Sequence, residues 1–262
     1  MAGRSFDGRW AAAVVAELSA QPLVAAPVLA EADLAALPAP VRRYVLASGA
    51  VGRPVPQNMR LEMDAVMVRK PGDPGMAATS TQLNWFHSPT RLFLMKARMF
   101  GLPVRALHIY REEQATFQVR AAALVTIVDQ SGESISGAET VTVLNDMCIF
   151  APGALVDPRL AWEPVDDRTA TVTFTNGRRR VSATLLFNER DELADFWSDD
   201  RPESGDNVVH QRRWSTPMSD YRDVGGLRLP TRGDAVYQRP DGPFTYGAFT
   251  LRSVAYDVTE EG

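Results

Sequence analysis

The spacing of apolar residues changes near residue 59 of this chain. From there on, apolar side chains recur at every second position, as in β-strands with one buried and one solvated face. In 113–120, for example, Ala115, Phe117 and Val119 alternate with polar residues. Turns rich in Gly and Pro separate such runs. The pattern predicts strands over 59–69, 80–88, 90–99, 104–111, 113–120, 121–129, 168–187, 208–216, 228–238 and 244–257.

The first fifty residues have helical spacing instead. Trp10, Val14 and Leu18 stand four residues apart, which places them on one stripe of a helix. A second helix is predicted between Pro40 and Gly49, because proline suits a first helical turn and glycine is a common stop.

A third helix is predicted in the middle of the chain, over 137–150. Ser136 and Glu139 have the spacing of a capping box. Apolar residues then follow at helical spacing, namely Val141, Leu144, Met147 and Cys148. A helix that is apolar nearly all round must be covered on most sides. The opening Thr-Val-Thr-Val also fits a strand, so that alternative stays open.

These elements predict an α+β fold that is mostly β. Many consecutive antiparallel strands must protect their edges, by closing into a barrel or by folding over other elements. We expect a strongly curved antiparallel sheet, a half-open β-barrel, wrapped around the helix 137–150. Residues 1–50 are expected to form a helical segment packed on the same domain, and 51–262 the β domain with its inserted helix.

The strongest local turn signal lies within 168–187. Asn176-Gly177 is a preferred type I′ hairpin turn. With that turn, Val172 faces Val181 on an apolar side of the hairpin, and polar residues pair on the other side.

Composition narrows the class of protein. The chain has 262 residues, 45% of them hydrophobic and 23% charged, which is typical of a globular domain. Its net charge of −4 gives no indication of a nucleic acid or an anionic membrane as partner. The single Cys148 excludes an internal disulfide and, within an apolar helix, is expected to be an inert thiol rather than a nucleophile.

No targeting segment is predicted. The apolar run after Trp10 is interrupted by Glu17, Pro22 and Pro27, so it suits neither a signal peptide nor a membrane span. We therefore expect a cytoplasmic protein with no stable membrane anchor.

Several short phrases occur together in a characteristic order. They are Leu37-Pro38-x-Pro40-Val41-x-x-Tyr44, Ser48-Gly49, Phe150-Ala151-Pro152, Trp162-Glu163, Phe187-Asn188-Glu189, Ser198-Asp199-Asp200-Arg201, Gly226-x-Arg228-Leu229-Pro230 and Phe244-x-Tyr246. In this order the chain resembles a bacterial family of unknown function, the DUF6544 type, over about residues 37–257. The resemblance implies an architecture similar to the half-open β-barrels of lipoprotein carriers, which hold acyl chains in an apolar hollow under a helix.

Most catalytic templates are absent from the sequence. His87, His108 and His210 are isolated, and no Cys cluster supplies metal ligands. Residues 132–136 miss the Gly-x-Ser-x-Gly elbow by one position, and there is no Gly-rich phosphate loop. We expect neither a metal nor a cofactor.

A row of methionine and aromatic residues lies on one face of the strand 90–99. Such side chains pack irregular cores and also line adaptable pockets for lipophiles. Both interpretations stay open. The candidate lining residues on this basis are Trp85, Phe93, Met95, Leu144, Met147 and Trp162.

His108 and Tyr110 lie two apart on a strand and therefore point the same way. On an inward face they could hydrogen-bond a ligand or move a proton. Asp146 in the apolar helix is a third acid–base candidate, because burial raises the pKa of a carboxyl group. The alternative for His108 is a structural histidine with satisfied hydrogen bonds, and for Asp146 a position at a rim or as a cap of a neighbouring amide.

Trp197, Asp199 and Arg201 alternate along one side of a predicted strand. At a cavity mouth they could fix a polar head group. The alternative is an ordinary ion pair on a solvated face.

The sequence thus predicts binding of a lipophilic small molecule, lipid-like or polyketide-like, in an apolar pocket. A cofactor-free isomerase or cyclase acting through His108, Tyr110 or Asp146 is the alternative. A solid interior would instead favour a structural or partner-binding module. The sequence leaves the oligomeric state open.

Overall fold

The computed structural model describes residues 5–122, 125–205 and 208–260. Three α-helices are present there, α1 Phe6–Ala20, α2 Ala39–Ser48 and α3 Glu133–Phe150, with short 3-10 helices at Glu31–Ala36 and Pro152–Val156. The strands are β1 Asn58–Met67, β2 Met76–Trp85, β3 Thr90–Met99, β4 Leu102–Arg111, β5 Gln114–Ala121, β6 Val125–Ser131, β7 Leu160–Asp166, β8 Thr169–Asn176, β9 Arg179–Phe187, β10 Leu193–Ser198, β11 Glu203–Gly205, β12 Val208–His210, β13 Trp214–Ser215, β14 Met218–Val224, β15 Leu227–Arg239 and β16 Gly242–Tyr256.

Most of these strands form one curled antiparallel sheet. Its order over the described residues is β6-β5-β4-β3-β2-β1-β16-β15-β13-β10-β9-β8-β7, with β14 beside β15, while β11 and β12 pair separately. The helix α3 contacts β4, β5 and β6 from one half of the sheet and β9, β10 and β15 from the other. The predicted fold, a half-open barrel curved around a central helix, is confirmed.

The central helix is longer than predicted. It runs as an α-helix from Glu133 to Phe150, which excludes the strand alternative, and its positions from Ala138 to Ile149 are all buried. The predicted capping box is wrong. The Ser136 hydroxyl lies inside the helix, where it donates to the Gly132 carbonyl at 2.7 Å and accepts from the Ala115 amide at 2.9 Å.

The first helix covers the convex face of the sheet. Phe6, Trp10 and Val14 of α1 form a second apolar cluster with residues such as Leu92 and Leu94. The odd-numbered residues of β3 point into the concave side instead. This strand is therefore apolar on both faces, because one face meets α1 and the other meets the interior.

The second helix packs against the end of α3. The Tyr44 hydroxyl of α2 donates to the Cys148 carbonyl at 2.9 Å, and both residues are buried. Burial raises the pKa of the Cys148 thiol, as expected for an unreactive cysteine.

The β8–β9 hairpin forms, but its predicted register is wrong by two residues. Val172 pairs with Ala183 rather than Val181, and the turn is Gly177-Arg178. Asn176 is the last residue of β8, and its buried side chain donates to the Tyr110 hydroxyl at 2.9 Å. The shift is even, so the apolar side of the hairpin still faces the core. The sequence pattern also missed the strands β7 and β14.

We expect Leu144→Ala in α3 to lower the free energy of unfolding by about 2–5 kcal/mol, because this side chain is fully buried in the main core. Leu46→Ala in α2 is the matched control, since Leu46 is 38% exposed. Urea titration followed by circular dichroism measures both. Equal losses for the two variants would contradict a central position for α3.

Candidate functional site

A cavity of about 420 Å³ lies between α3 and the concave face of the sheet. Most of its wall is apolar and comes from strands in both halves of the sheet. The apolar lining includes Met63, Met67, Phe93, Met95, Ala106, Phe117, Ile149, Trp214, Met218, Phe244, Phe249 and Leu251. The side chains of the curved sheet therefore do not fill its interior.

One region of the cavity wall is polar and is built around Asp146 of α3. Three side chains donate to its Oδ2 atom, namely Gln82 at 2.8 Å, Asn84 at 3.1 Å and Arg91 Nε at 2.8 Å. Burial raises the pKa of Asp146, and the charge of Arg91 and the Asn84 hydrogen bond partly oppose this rise. The carboxylate thus joins the helix to two adjacent strands.

Arg91 connects the two buried carboxylates of α3. Its Nη1 lies 3.1 Å from Glu139 Oε2, and its Nη2 donates to Gln82 Oε1 at 2.8 Å. Burial alone would raise the pKa of Glu139, but neighbouring positive charge, including that of Arg91, outweighs burial and lowers it. The guanidinium therefore has a partner at each of its three nitrogens.

His108 lies beside this network and also lines the cavity. Its Nδ1 is 3.5 Å from Glu139 Oε2, and its ring is tilted by 43° against the ring of Phe117, with 4.8 Å between the ring centroids. No group among the described residues hydrogen-bonds its Nε2. Burial lowers the pKa of His108 to about 4, so the imidazole is neutral near pH 7.

Arg201 adds a second guanidinium to the same region. Its Nε donates to the Thr142 hydroxyl at 3.1 Å, and its Nη2 is 3.9 Å from Glu139 Oε1. Its guanidinium carbon lies 4.3 Å from the Trp214 ring, and it also donates to the Tyr237 hydroxyl. The polar region thus contains two guanidinium groups, two carboxyl groups and a neutral imidazole.

Residues 27–249 match the family described as DUF6544, a family of unknown function. The chain belongs to this family. A comparison with curated proteins finds no match to this DUF6544 chain.

Two solved structures resemble the fold of this DUF6544 protein. One, provisionally described as an outer membrane lipoprotein-sorting protein domain from Vibrio parahaemolyticus, has 7% identity and a TM-score of 0.43, over 76% of this chain and 85% of that one. The other, a LolA superfamily protein from Nitrosomonas europaea, has 9% identity and a TM-score of 0.42, over 82% and 92% of the two chains.

Five of the residues singled out from the sequence line the cavity of this DUF6544 protein. Phe93 and Met95 belong to its apolar wall, and His108, Asp146 and Arg201 to its polar region. Their roles toward a ligand are still predictions.

Three other candidates are buried away from the cavity. Leu144 and Met147 belong to the main apolar core and lie on a face of α3 that does not line the cavity. Tyr110 shares the concave face with His108, as predicted, but its hydroxyl is 2.9 Å from Thr140 Oγ1 and accepts a hydrogen bond from Asn176. The prediction that these three residues line the cavity is wrong, because each of them contacts other buried side chains instead.

Two tryptophans also lie elsewhere. Trp85 belongs to the cluster under α1, on the convex face, because the odd-numbered residues of β2 point outward. Trp162 packs at the edge of the main core and donates to the Leu155 carbonyl at 3.2 Å. Neither one lines the cavity, which corrects the expectation from the sequence.

The predicted alternation of Trp197, Asp199 and Arg201 fails, because β10 ends at Ser198. Asp199 pairs with Arg213 at 3.0 Å, and that guanidinium lies 6.0 Å from the Trp197 ring. Trp197 and Asp199 are thus outside the cavity, and of the three predicted residues only Arg201 lines it.

Sequence reasoning missed Gln82, Arg91 and Glu139. Gln82 is one of several polar residues of β2, so no local pattern marks it. Arg91 directly precedes the apolar run 92–95, and Glu139 was assigned to a helix cap. A charged residue within or beside an apolar segment was the available signal for these two, since a buried charge requires partners. Glu139 and Asp146 are seven apart, which places both on one face of a helix.

The described residues contain no group of three or more His, Cys, Asp or Glu side chains placed to hold a metal ion. None of the helices in the described ranges is long and apolar enough to span a membrane.

We expect His108 to contribute a pH dependence to stability. The folded pKa is about 4 and the ordinary value is 6.5. Below pH 6.5 the unfolded chain therefore binds a proton that the folded chain does not, so the folded state loses stability as the pH falls to about 4. A shift of this size corresponds to ~3 kcal/mol.

Urea titrations across this pH range measure the effect. His108→Gln should lose less stability than the wild type between pH 6.5 and pH 4, and the same exchange at exposed His87 is the control. A His108→Gln profile parallel to that of the wild type would contradict the assignment.

Proposed function

We propose that the cavity binds a lipophilic small molecule. The observation that carries this proposal is the space of about 420 Å³ with its methionine and aromatic walls. Small-molecule pockets usually have volumes of about 300–1,000 Å³ and combine apolar walls with a few convergent polar groups. The apolar part of the ligand would lie along β1, β3 and β16.

The polar region supports a ligand with a polar end. Arg91 and Arg201 are balanced there by Glu139 and Asp146, so the wall carries little net charge. Ion pairs buried this deeply stabilise a protein less than apolar packing of similar volume. Their presence at the cavity therefore favours a role in orienting a hydroxyl, carbonyl or carboxyl group of the ligand.

Filling the cavity should weaken binding. Ala106 lines the space, so Ala106→Trp is expected to weaken binding of a fluorescent fatty-acid probe by at least about tenfold, since a buried side chain of this size displaces ligand contacts worth more than 1.4 kcal/mol. Ala77→Trp on an exposed position of β2 is the control.

The experiment is a fluorescence titration of delipidated protein, together with native mass spectrometry of protein as purified. We expect a co-purifying lipophile in the wild type and its loss in Ala106→Trp. Absence of both probe binding and any co-purifying lipophile from the wild type would refute the proposal.

A second function, proton transfer on the bound molecule, is favoured by one observation. His108 is neutral near pH 7, has Glu139 near its Nδ1 and lines the cavity. A neutral imidazole can accept a proton from a substrate, as a cofactor-free isomerase requires, although its lowered pKa makes it a weaker base than an ordinary histidine. Glu139 would stabilise the imidazolium that forms. Asp146 is less suited, because three donors already occupy its Oδ2 atom.

Incubation of the co-purified ligand with protein in D₂O separates binding from catalysis. An isomerase should introduce deuterium into the ligand, and His108→Gln should abolish this exchange while the ligand still binds. Mass spectrometry of the extracted ligand measures both. Equal exchange in the two proteins would exclude His108 as the base.

A further inference from the structure

The apolar wall of the cavity continues outward along β3 and β4. Met95 and Ala106 are paired across these strands and line the cavity. The next pair on the same face is Ala97 with Val104, and the last is Met99 with Leu102. Leu102 is 54% exposed. An apolar strip thus leads from the cavity to the end of the sheet.

The strip ends in an exposed aromatic residue. Phe100, in the turn between β3 and β4, is 91% exposed and has a φ of +51°. Residues other than glycine, asparagine and aspartate are uncommon at such positive φ values, and a large exposed apolar side chain gains nothing from folding. Folding stability therefore does not account for a phenylalanine at this tip.

The tip lies at the same end of the sheet as an exposed part of the cavity lining. Ala78 pairs with Ala97, so the turn between β1 and β2 lies beside the turn that carries Phe100. Arg69 in the first of these turns lines the cavity and is exposed to solvent.

Local charge at this end is opposite in sign to that of the whole chain. The two turns, 68–75 and 98–103, contain the cations Arg69, Lys70 and Arg98 and one anion, Asp73. The chain as a whole has a net charge of −4. Although the whole chain is negative, this end has a cationic surface around an exposed apolar tip. That combination favours binding to anionic lipid surfaces.

We propose that this end of the sheet docks on the surface of an anionic lipid bilayer. Phe100 and Leu102 would enter the interface, and the neighbouring cations would meet the lipid head groups. The docked strip would then offer a continuous apolar path between the acyl region and the cavity. This inference rests on the proposed function, since it supplies the route by which a lipophile reaches the pocket.

Vesicle flotation tests the proposal with the 262-residue chain. Wild type should bind vesicles of phosphatidylcholine mixed with phosphatidylglycerol and bind pure phosphatidylcholine vesicles more weakly. The double variant Phe100→Asp, Leu102→Asp should bind the mixed vesicles roughly tenfold more weakly. The matched control is Val24→Asp, Val165→Asp, which alters two exposed valines elsewhere.

A second pair of variants tests the charge. Lys70→Glu, Arg98→Glu should weaken binding by a similar factor, and Arg42→Glu, Arg180→Glu at other exposed positions should not. Circular dichroism and probe titration establish that each variant is folded and keeps its pocket.

Three results would overturn the proposal, namely equal binding to both kinds of vesicle, no binding of the wild type to either, and full binding by the Phe100 variant. Because Phe100 does not line the cavity, probe binding is independent of these results. Failure of docking with intact probe binding would leave the proposed function standing.

Discussion

The structure depends on the ion network that ties α3 to the concave face of the sheet. Arg91 on β3 contacts both Asp146 and Glu139, and Gln82 on β2 holds Asp146 as well. Removal of one partner from such a network leaves an uncompensated buried charge, which typically costs about 3–5 kcal/mol. The network fixes one face of the helix against polar side chains, while the other faces pack into the apolar core. It therefore keeps the helix in place beside a space that no side chain occupies.

The same arrangement explains what the site can do chemically. Glu139 and Asp146 are on one helix face, and the cations that neutralise them come from β3 and from the segment after β10. Since the charges are paired within the protein, the proposed ligand would meet oriented dipoles rather than a free charge. His108 differs from the others, because burial keeps it neutral and its Nε2 lacks a partner among the described residues.

The fold could be predicted further than the site. Period-two alternation located β1 and β3 to β5 closely. The helix predicted over 137–150 is apolar nearly all round, which indicated that the sheet encloses it. The partners of a buried charge, by contrast, come from distant parts of the sequence. Arg91 and Asp146 are separated by 55 positions. No local pattern pairs them, and alternation beyond the end of β10 misplaced Trp197 and Asp199. The hairpin shift has a similar origin. The side chain of Asn176, at the end of β8, donates a hydrogen bond to the distant Tyr110 instead of forming part of the turn.

The two edge strands of the sheet, β6 and β7, do not meet in its strand order. A closed barrel has a circumference set by its strand number and shear, and widening it would break backbone hydrogen bonds. An open seam removes that limit only where nothing bridges it, and the hydrogen bond from Asn176 to Tyr110 bridges it at one end. At the opposite end the edges could separate without breaking a ladder between neighbouring strands, so adaptation to molecules of unequal bulk would come from the sheet itself.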